Sequence, residues 1–124
     1  MSPKILVADD EPNIVISLEY LLKREGYTVV IARDGQEAVD AIIREQPDLV
    51  LLDVMMPKKT GFEVCQEVRS HEAVQATKIL MLTAKGRDTD VAKGLALGAD
   101  AYMTKPFATR ELVQKVAEML GRAA

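Results

Sequence analysis

Five short apolar segments alternate along the chain with five longer segments whose apolar residues recur at helical spacing. The short segments predict buried strands. They cover residues 4–8, 27–32, 48–52, 78–82 and 101–103. Such alternation favours a parallel sheet covered by helices on both faces and joined by right-handed crossovers. We therefore expect an α/β fold, a doubly wound sheet of five parallel strands with five helices.

Helix boundaries follow from proline, glycine and capping residues. Pro12 is suited to open the first helix, and Gly26 to end it. Thr109 is a plausible N-cap for the last helix. The other predicted helices cover residues 35–46, a segment after Gly61 to about residue 71, and 88–97.

Composition limits the classes of function. A chain of 124 residues that is 48% hydrophobic can bury a core, and we expect residues 1–124 to form one domain. The net charge of −3 argues against nucleic-acid or membrane binding. The single cysteine, Cys65, cannot form an internal disulfide and is interpreted as core packing, while His71 is interpreted as surface. These features predict a soluble protein in a reducing cytoplasm.

Polar residues follow four of the predicted strands. Asp9 and Asp10 follow the first strand, Asp53 the third, Thr83 the fourth, and Lys105 comes shortly after the fifth. Open parallel sheets bind ligands outside the carboxyl ends of their strands, so we expect these residues to share one site.

Three converging carboxylates would repel one another unless a cation lies between them. An oxygen-only set of ligands suits a hard ion such as Mg²⁺, with phosphoryl oxygens completing the coordination. Phosphoryl transfer needs an in-line nucleophile and charge neutralisation. Asp53, on the strand expected at the centre of the sheet, is the predicted nucleophile and would form an aspartyl phosphate.

Five motifs occur in an order and spacing that resemble a known family. They are Asp9-Asp10-Glu11, Asp53 to Pro57 with Gly61, Thr83-Ala84, Gly98 to Asp100, and Lys105-Pro106-Phe107. Over essentially its whole length the chain resembles the receiver domains of two-component response regulators. The resemblance implies the flavodoxin-like strand order 2-1-3-4-5. It also implies a phosphoacceptor that catalyses only its own phosphorylation and dephosphorylation, with a sensor histidine kinase or phosphotransfer protein as donor.

The resemblance assigns roles to the residues of the site. Asp53 would accept the phosphoryl group from a phosphohistidine. Asp10, Asp53 and the backbone carbonyl of Met55 would coordinate Mg²⁺ or Mn²⁺, and Asp9 would act through a metal-bound water. Lys105 would contact a phosphoryl oxygen, and its bond to the following proline is commonly cis in this family.

A second set of implied roles concerns switching. Thr83, with Ala84 beside it, would move to bind the phosphoryl group, and Tyr102 would turn inward. The face made by the fourth helix, fifth strand and fifth helix would then change towards a downstream effector protein or domain. Met55 and Lys85 stand at positions near the path of the hydrolytic water, where a bulky apolar and a cationic residue predict a persistent phosphoryl state.

Charged residues on that face partly resemble the pairs through which some regulators dimerise. They are Lys93, Asp100, Glu111 and Lys115, although Ala101 stands where those regulators usually have a second acid. We predict a weak phosphorylation-dependent homodimer.

Two other functions compete with this interpretation. A small phosphatase would use Asp53 as nucleophile but would need a general acid two residues later, where Met55 has no proton to give. A flavodoxin-like cofactor binder would need a phosphate-binding loop after the first strand, where acids stand instead. The sequence leaves open whether the domain acts alone or was trimmed from a longer regulator.

Overall fold

Strands and helices alternate throughout the computed structural model, which describes residues 2–84 and 87–121. The elements are β1 (Lys4–Ala8), α1 (Pro12–Arg24), β2 (Thr28–Ala32), α2 (Gly35–Glu45), β3 (Leu49–Asp53), α3 (Gly61–Ser70), β4 (Lys78–Ala84), α4 (Asp88–Ala96), β5 (Ala101–Lys105) and α5 (Thr109–Met119). No described helix has both the length and the apolar character that crossing a membrane requires.

All strand pairs in the sheet are parallel, and the strand order is β2-β1-β3-β4-β5. The predicted doubly wound fold and strand order are therefore confirmed. β3 lies at the centre, between β1 and β4. Asp53, the last residue of β3, consequently ends the central strand with a strand on either side.

The core has two halves, one on each face of the sheet. Successive strand residues point to opposite faces, so Leu49 and Leu51 pack with α1 and α5, whereas Val50 and Leu52 pack with α2 and α3. Each fully buried aliphatic side chain of this size contributes about 1.5–3 kcal/mol. Burial on both faces fixes β3 and hence the backbone of Asp53. Cys65 lies in the second of these halves, as its core interpretation predicted.

Two strands run further than the apolar pattern predicted. β4 continues to Ala84 and β5 to Lys105, because parallel pairing persists after the apolar residues end. Thr83 is opposite Thr104 and Ala84 is opposite Lys105 in this extension. Thr83 and Lys105 are therefore strand residues, held more firmly than loop residues would be.

The predicted N-cap of the last helix is wrong by one residue. Ala108 has extended dihedral angles and its carbonyl accepts the first helical hydrogen bond, from Leu112 N–H. Thr109 is already in the helix, and no side chain caps this end. A genuine capping box instead begins α3, where Thr60 and Glu63 bond each other's backbone N–H groups. His71, next to the end of α3, is exposed as predicted.

Candidate functional site

Three carboxylates meet at the carboxyl ends of β1 and β3. Asp9, Asp10 and Asp53 each offer a ligand oxygen, and these oxygens all lie within 4.8 Å of one another. The two strands are direct neighbours in the sheet, which places their ends side by side. Asp9 is fully buried and Asp53 is 7% exposed, whereas Asp10 is exposed. Two of the three negative charges are therefore largely removed from water.

Lys105, at the end of the edge strand β5, contacts this cluster. The Lys105 ammonium donates to Asp9 Oδ2 at 2.8 Å and to Glu11 Oε1 at 3.2 Å, and lies 3.3 Å from Asp53 Oδ1. The structure thus brings together the residues that the strand ends predicted. The contact of Glu11 with Lys105 was not predicted: the sequence placed Glu11 in the acidic motif but assigned it no partner.

Burial and charge change the proton affinities at the site. Burial, followed by the negative charge of Asp9, raises the pKa of Asp53 to about 6, although Lys105 acts in the opposite direction. For Lys105, burial lowers the pKa, but the hydrogen bond to Asp9 and the charge of Asp53 outweigh it and leave the pKa above its ordinary value. The lysine therefore stays charged, while Asp53 is ionised at a cost near neutral pH.

The cleft above the cluster has the donor chemistry of a hard-cation site. Its ligands are carboxylate oxygens without sulfur or imidazole, which suits Mg²⁺ better than Zn²⁺. Exposed Asp10 gives an ion access from solvent. The residues lining the cleft are Asp10, Glu11, Asp53, Val54, Met55, Ala84, Arg87, Asp90 and Lys105. An added divalent cation would relieve the repulsion between the acids, so the residues present fit such an ion.

The segment after Asp53 packs closely against it. Gly61 N–H donates to Val54 O at 2.8 Å, and a Cβ atom at Gly61 would overlap the Asp53 carbonyl oxygen. Only glycine permits this approach of the start of α3 to the end of β3. The capping box at Thr60 and Glu63 fixes the same helix end. The backbone at Asp53 is therefore held by the pairing of β3 within the sheet and by the start of α3.

Thr83 carries an unpaired polar group in a buried position. The residue is 1% exposed, and its hydroxyl has no hydrogen-bond partner among residues 2–84 and 87–121. A buried hydroxyl without a partner costs about 1–3 kcal/mol. Thr83 lines a second cavity together with Ala84, Arg87 and Tyr102, a residue that is 46% exposed. This hydroxyl therefore has an unused donor proton within the described part of the chain.

Of the two residues predicted to affect hydrolysis, the structure describes Met55. Met55 lines the cleft and is 63% exposed, so it lies beside the approach to Asp53. Lys85 lies outside the described residues.

The four charged residues predicted to form a dimer face differ in their contacts within the chain. Asp100, Glu111 and Lys115 line a shared groove that also includes Tyr102. Asp100 Oδ2, however, accepts from the Arg69 guanidinium and from Ile79 N–H, both at 2.8 Å. The Lys93 ammonium lies 4.6 Å from the centre of the Phe62 ring. Two of the four charges thus have partners within the same chain.

Arg69 is a structural residue that the sequence did not reveal. It donates to the backbone carbonyls of Gly98, Gln75 and Thr77 as well as to Asp100. These bonds tie the end of α3 to the segments that lead into β4 and β5. An arginine in the last turn of a helix is usually interpreted as solvated, and no local pattern signals such distant partners.

Comparison with known proteins shows the family of this chain and agrees with its fold. The family model described as the response regulator receiver domain matches residues 5–117. A chain from Chloroflexus aurantiacus assigned as a response regulator is 36% identical, with a TM-score of 0.93 over 98% of this chain and 100% of that one. The chemotaxis response regulator CheY4 of Vibrio cholerae is 33% identical, with a TM-score of 0.90 over 96% and 99%.

A third similar structure adds a bound ion. It is the receiver domain of a sensor histidine kinase from Pseudomonas aeruginosa, which holds a magnesium ion in its active-site cleft. It is 30% identical to this chain, with a TM-score of 0.90 over 98% of this chain and 99% of that one. The family match, together with these structures, shows that this chain belongs to the receiver domains of two-component response regulators.

Proposed function

We propose that Asp53 accepts a phosphoryl group from the phosphohistidine of a sensor histidine kinase or phosphotransfer protein. The observation that carries the proposal is the meeting of Asp9, Asp10 and Lys105 around Asp53 at the end of the central strand. A carboxylate so placed is backed by a fixed cation and faces an open cleft. That combination suits a nucleophile whose product carries additional negative charge.

The chemical step conserves atoms and charge. A carboxylate oxygen of Asp53 attacks phosphorus, the phosphorus–nitrogen bond breaks, and the imidazole nitrogen keeps the electron pair of that bond and takes a proton from solvent water. The Lys105 ammonium neutralises charge on the phosphoryl oxygens. In dephosphorylation, water attacks phosphorus, the bond to the Asp53 oxygen breaks, and inorganic phosphate leaves. The chain thereby transforms only its own side chain and turns over no external metabolite.

Mg²⁺ is the cofactor that the acidic site fits best. Asp10, Asp53 and the backbone carbonyl of Met55 would hold it directly, and Asp9 would act through a metal-bound water. When bound, the ion would supply positive charge to the phosphoryl oxygens. The magnesium in the similar Pseudomonas receiver domain supports this assignment. Mn²⁺ prefers the same oxygen ligands and would substitute for it.

Switching would begin at the unpaired Thr83 hydroxyl. In this proposal the hydroxyl, next to Ala84, bonds a phosphoryl oxygen and leaves room for Tyr102 to turn inward. The shared cavity and the outward position of Tyr102 support this. The surface made by α4, β5 and α5 would then present a different shape to a downstream effector protein or domain in the cytoplasm.

The lifetime of the phosphoryl group and the oligomeric state complete the proposal. Exposed Met55, together with Lys85, would slow the approach of water, so Met55→Asn combined with Lys85→Glu is expected to speed dephosphorylation.

Residues 1–124 would act as one receiver domain, and phosphorylation would favour a weak homodimer through Glu111 and Lys115. Light scattering with and without a phosphoryl mimic measures the molecular mass. A mass that does not rise with the mimic would contradict the homodimer.

The decisive experiment is phosphorylation by a small phosphodonor. The protein is incubated with acetyl phosphate and Mg²⁺, and its intact mass is measured. Wild type is expected to gain one phosphoryl group, and Asp53→Asn none. Asp40→Asn, which changes an exposed acid on α2, is the matched control and is expected to behave as wild type. Equal uptake by Asp53→Asn would refute the assignment.

A further inference from the structure

Arg87 stands between the two cavities of the site. It precedes α4, and it lines both the cleft that contains Asp53 and Lys105 and the cavity that contains Thr83 and Tyr102. None of the roles described above uses this residue. A cation in this position is close to the acceptor and also belongs to the segment that leads into the switching surface.

The charge of Arg87 is only partly used. Its Nε lies 2.9 Å from Asp90 Oδ2, one turn along α4. The Arg87 side chain is 53% exposed, while that of Asp90 is 14% exposed. Within residues 2–84 and 87–121 the guanidinium makes no other ion pair or hydrogen bond. Because a guanidinium has five N–H donors, both terminal amino groups remain able to bind an anion.

The other cation of the cleft is shared among several acids before any ligand binds. Lys105 contacts Asp9, Glu11 and Asp53. A phosphoryl group on Asp53 would replace the single carboxylate charge with up to about two negative charges and add three acceptor oxygens. The planar fork of an arginine matches phosphoryl oxygens better than a second lysine would. Arg87 is the other cation among the described residues that line this cleft.

We propose that Arg87 leaves Asp90 and binds a phosphoryl oxygen on Asp53. The inference rests on the proposed phosphorylation of Asp53 and adds a residue that reads it. The exchange releases Asp90 in the first turn of α4 and draws the start of that helix towards the cleft. The switching surface thereby receives a second signal from the phosphoryl group, separate from the Thr83 hydroxyl.

Beryllofluoride with Mg²⁺ is the probe, because it mimics a phosphoryl group on a carboxylate and its affinity is measured by calorimetry. Arg87→Gln is expected to weaken binding roughly fivefold to tenfold, as the loss of one partly exposed charged hydrogen bond would. Arg87→Lys should keep part of the affinity. Asp90→Asn should tighten binding by about threefold, because it frees the guanidinium. Arg44→Gln, an exposed arginine near the opposite edge of the sheet, should change nothing.

Each outcome bears on one proposal. If wild type does not bind beryllofluoride, or if Asp53→Asn binds it equally well, the phosphoacceptor assignment fails. If binding requires Asp53 but Arg87→Gln stays within about twofold of wild type, the role of Arg87 is refuted and the acceptor stands. The affinity of Arg87→Gln for Mg²⁺, measured without beryllofluoride, shows whether this variant keeps the folded acidic site. An equal loss of Mg²⁺ and beryllofluoride binding in Arg87→Gln would also refute the role of Arg87.

Discussion

Replacing Asp53 by asparagine should make the metal-free protein more stable at neutral pH. The substitution removes one of two buried carboxylates that face each other, Asp53 and Asp9, and keeps the shape of the side chain. The asparagine oxygen still offers Lys105 an acceptor. A residue placed for reaction is thus expected to cost stability in the resting state.

The magnitude follows from the pKa of Asp53. Burial and Asp9 raise it from 3.8 to about 6 in the folded protein. A carboxyl group whose folded pKa is raised contributes its full stability below the unfolded pKa and loses it as the pH rises through the folded pKa. A rise of roughly two pH units corresponds to about 3 kcal/mol at most. Since the amide attracts Lys105 less strongly, a net gain of about 1–3 kcal/mol is expected.

Urea unfolding in the presence of a chelator measures this difference. Wild type and Asp53→Asn are compared at about pH 7.5 and about pH 4.5, where folded wild type is already protonated at this position. The advantage of the variant should shrink by roughly 2 kcal/mol at the lower pH. Added Mg²⁺ should remove it at the higher pH, because the ion stabilises only the protein that binds it. Asp40→Asn serves as control.

Two results would refute this reasoning. The variant could be less stable than wild type near neutral pH, which would mean that the Lys105 contact outweighs burial and the repulsion from Asp9. Alternatively, the difference could be the same at both pH values, which would mean that Asp53 titrates as it does in the unfolded chain. Equal denaturant slopes for both proteins are needed for either comparison.

Three further predictions concern single residues of the site. Asp10→Asn should weaken Mg²⁺ binding by about tenfold or more, measured by calorimetry, with little effect on unfolding because Asp10 is exposed. Gly61→Ala should destabilise the protein by about 2 kcal/mol or more in urea unfolding, because its Cβ would overlap the Asp53 carbonyl; an unchanged midpoint would contradict that packing. Thr83→Val should raise the stability of the unphosphorylated protein by up to about 1 kcal/mol, since it removes an unpaired buried hydroxyl, and a lower midpoint would show that the hydroxyl has a partner.

The architecture and the chemical core of the site could be predicted from sequence because both follow from periodic patterns. Apolar runs gave the strands, and parallel strands have their carboxyl ends at one edge of the sheet. Asp9, Asp53 and Thr83 follow such runs and do lie at that edge. The ends of β4 and β5 were missed because backbone pairing continues where the apolar pattern has stopped, as at Thr104 and Lys105.

The partners of individual charges could not be predicted, because they depend on distant segments. Asp100 was expected on a dimer surface, yet it accepts from Arg69, which lies 31 positions earlier in the chain. A dimer that used Asp100 would have to compete with that ion pair and with the Ile79 N–H bond. The groove charges without such a described ion pair, Glu111 and Lys115, are therefore better candidates for contacts with a partner.

Lys105 and Arg87, the two cations among the described residues that line the cleft, differ in a way that bears on their roles. Lys105 is largely buried and contacts three acids, so the surrounding charges already hold it in place before any ligand binds. Arg87 is half exposed and has one described ionic partner, Asp90, in the first turn of the helix that follows it. A group with many partners is suited to a fixed environment for the reaction, because moving it would break several contacts. A group with one exchangeable partner, such as Arg87, is suited to respond to the phosphoryl group on Asp53. Moving Arg87 breaks one contact and releases α4, which carries its partner Asp90.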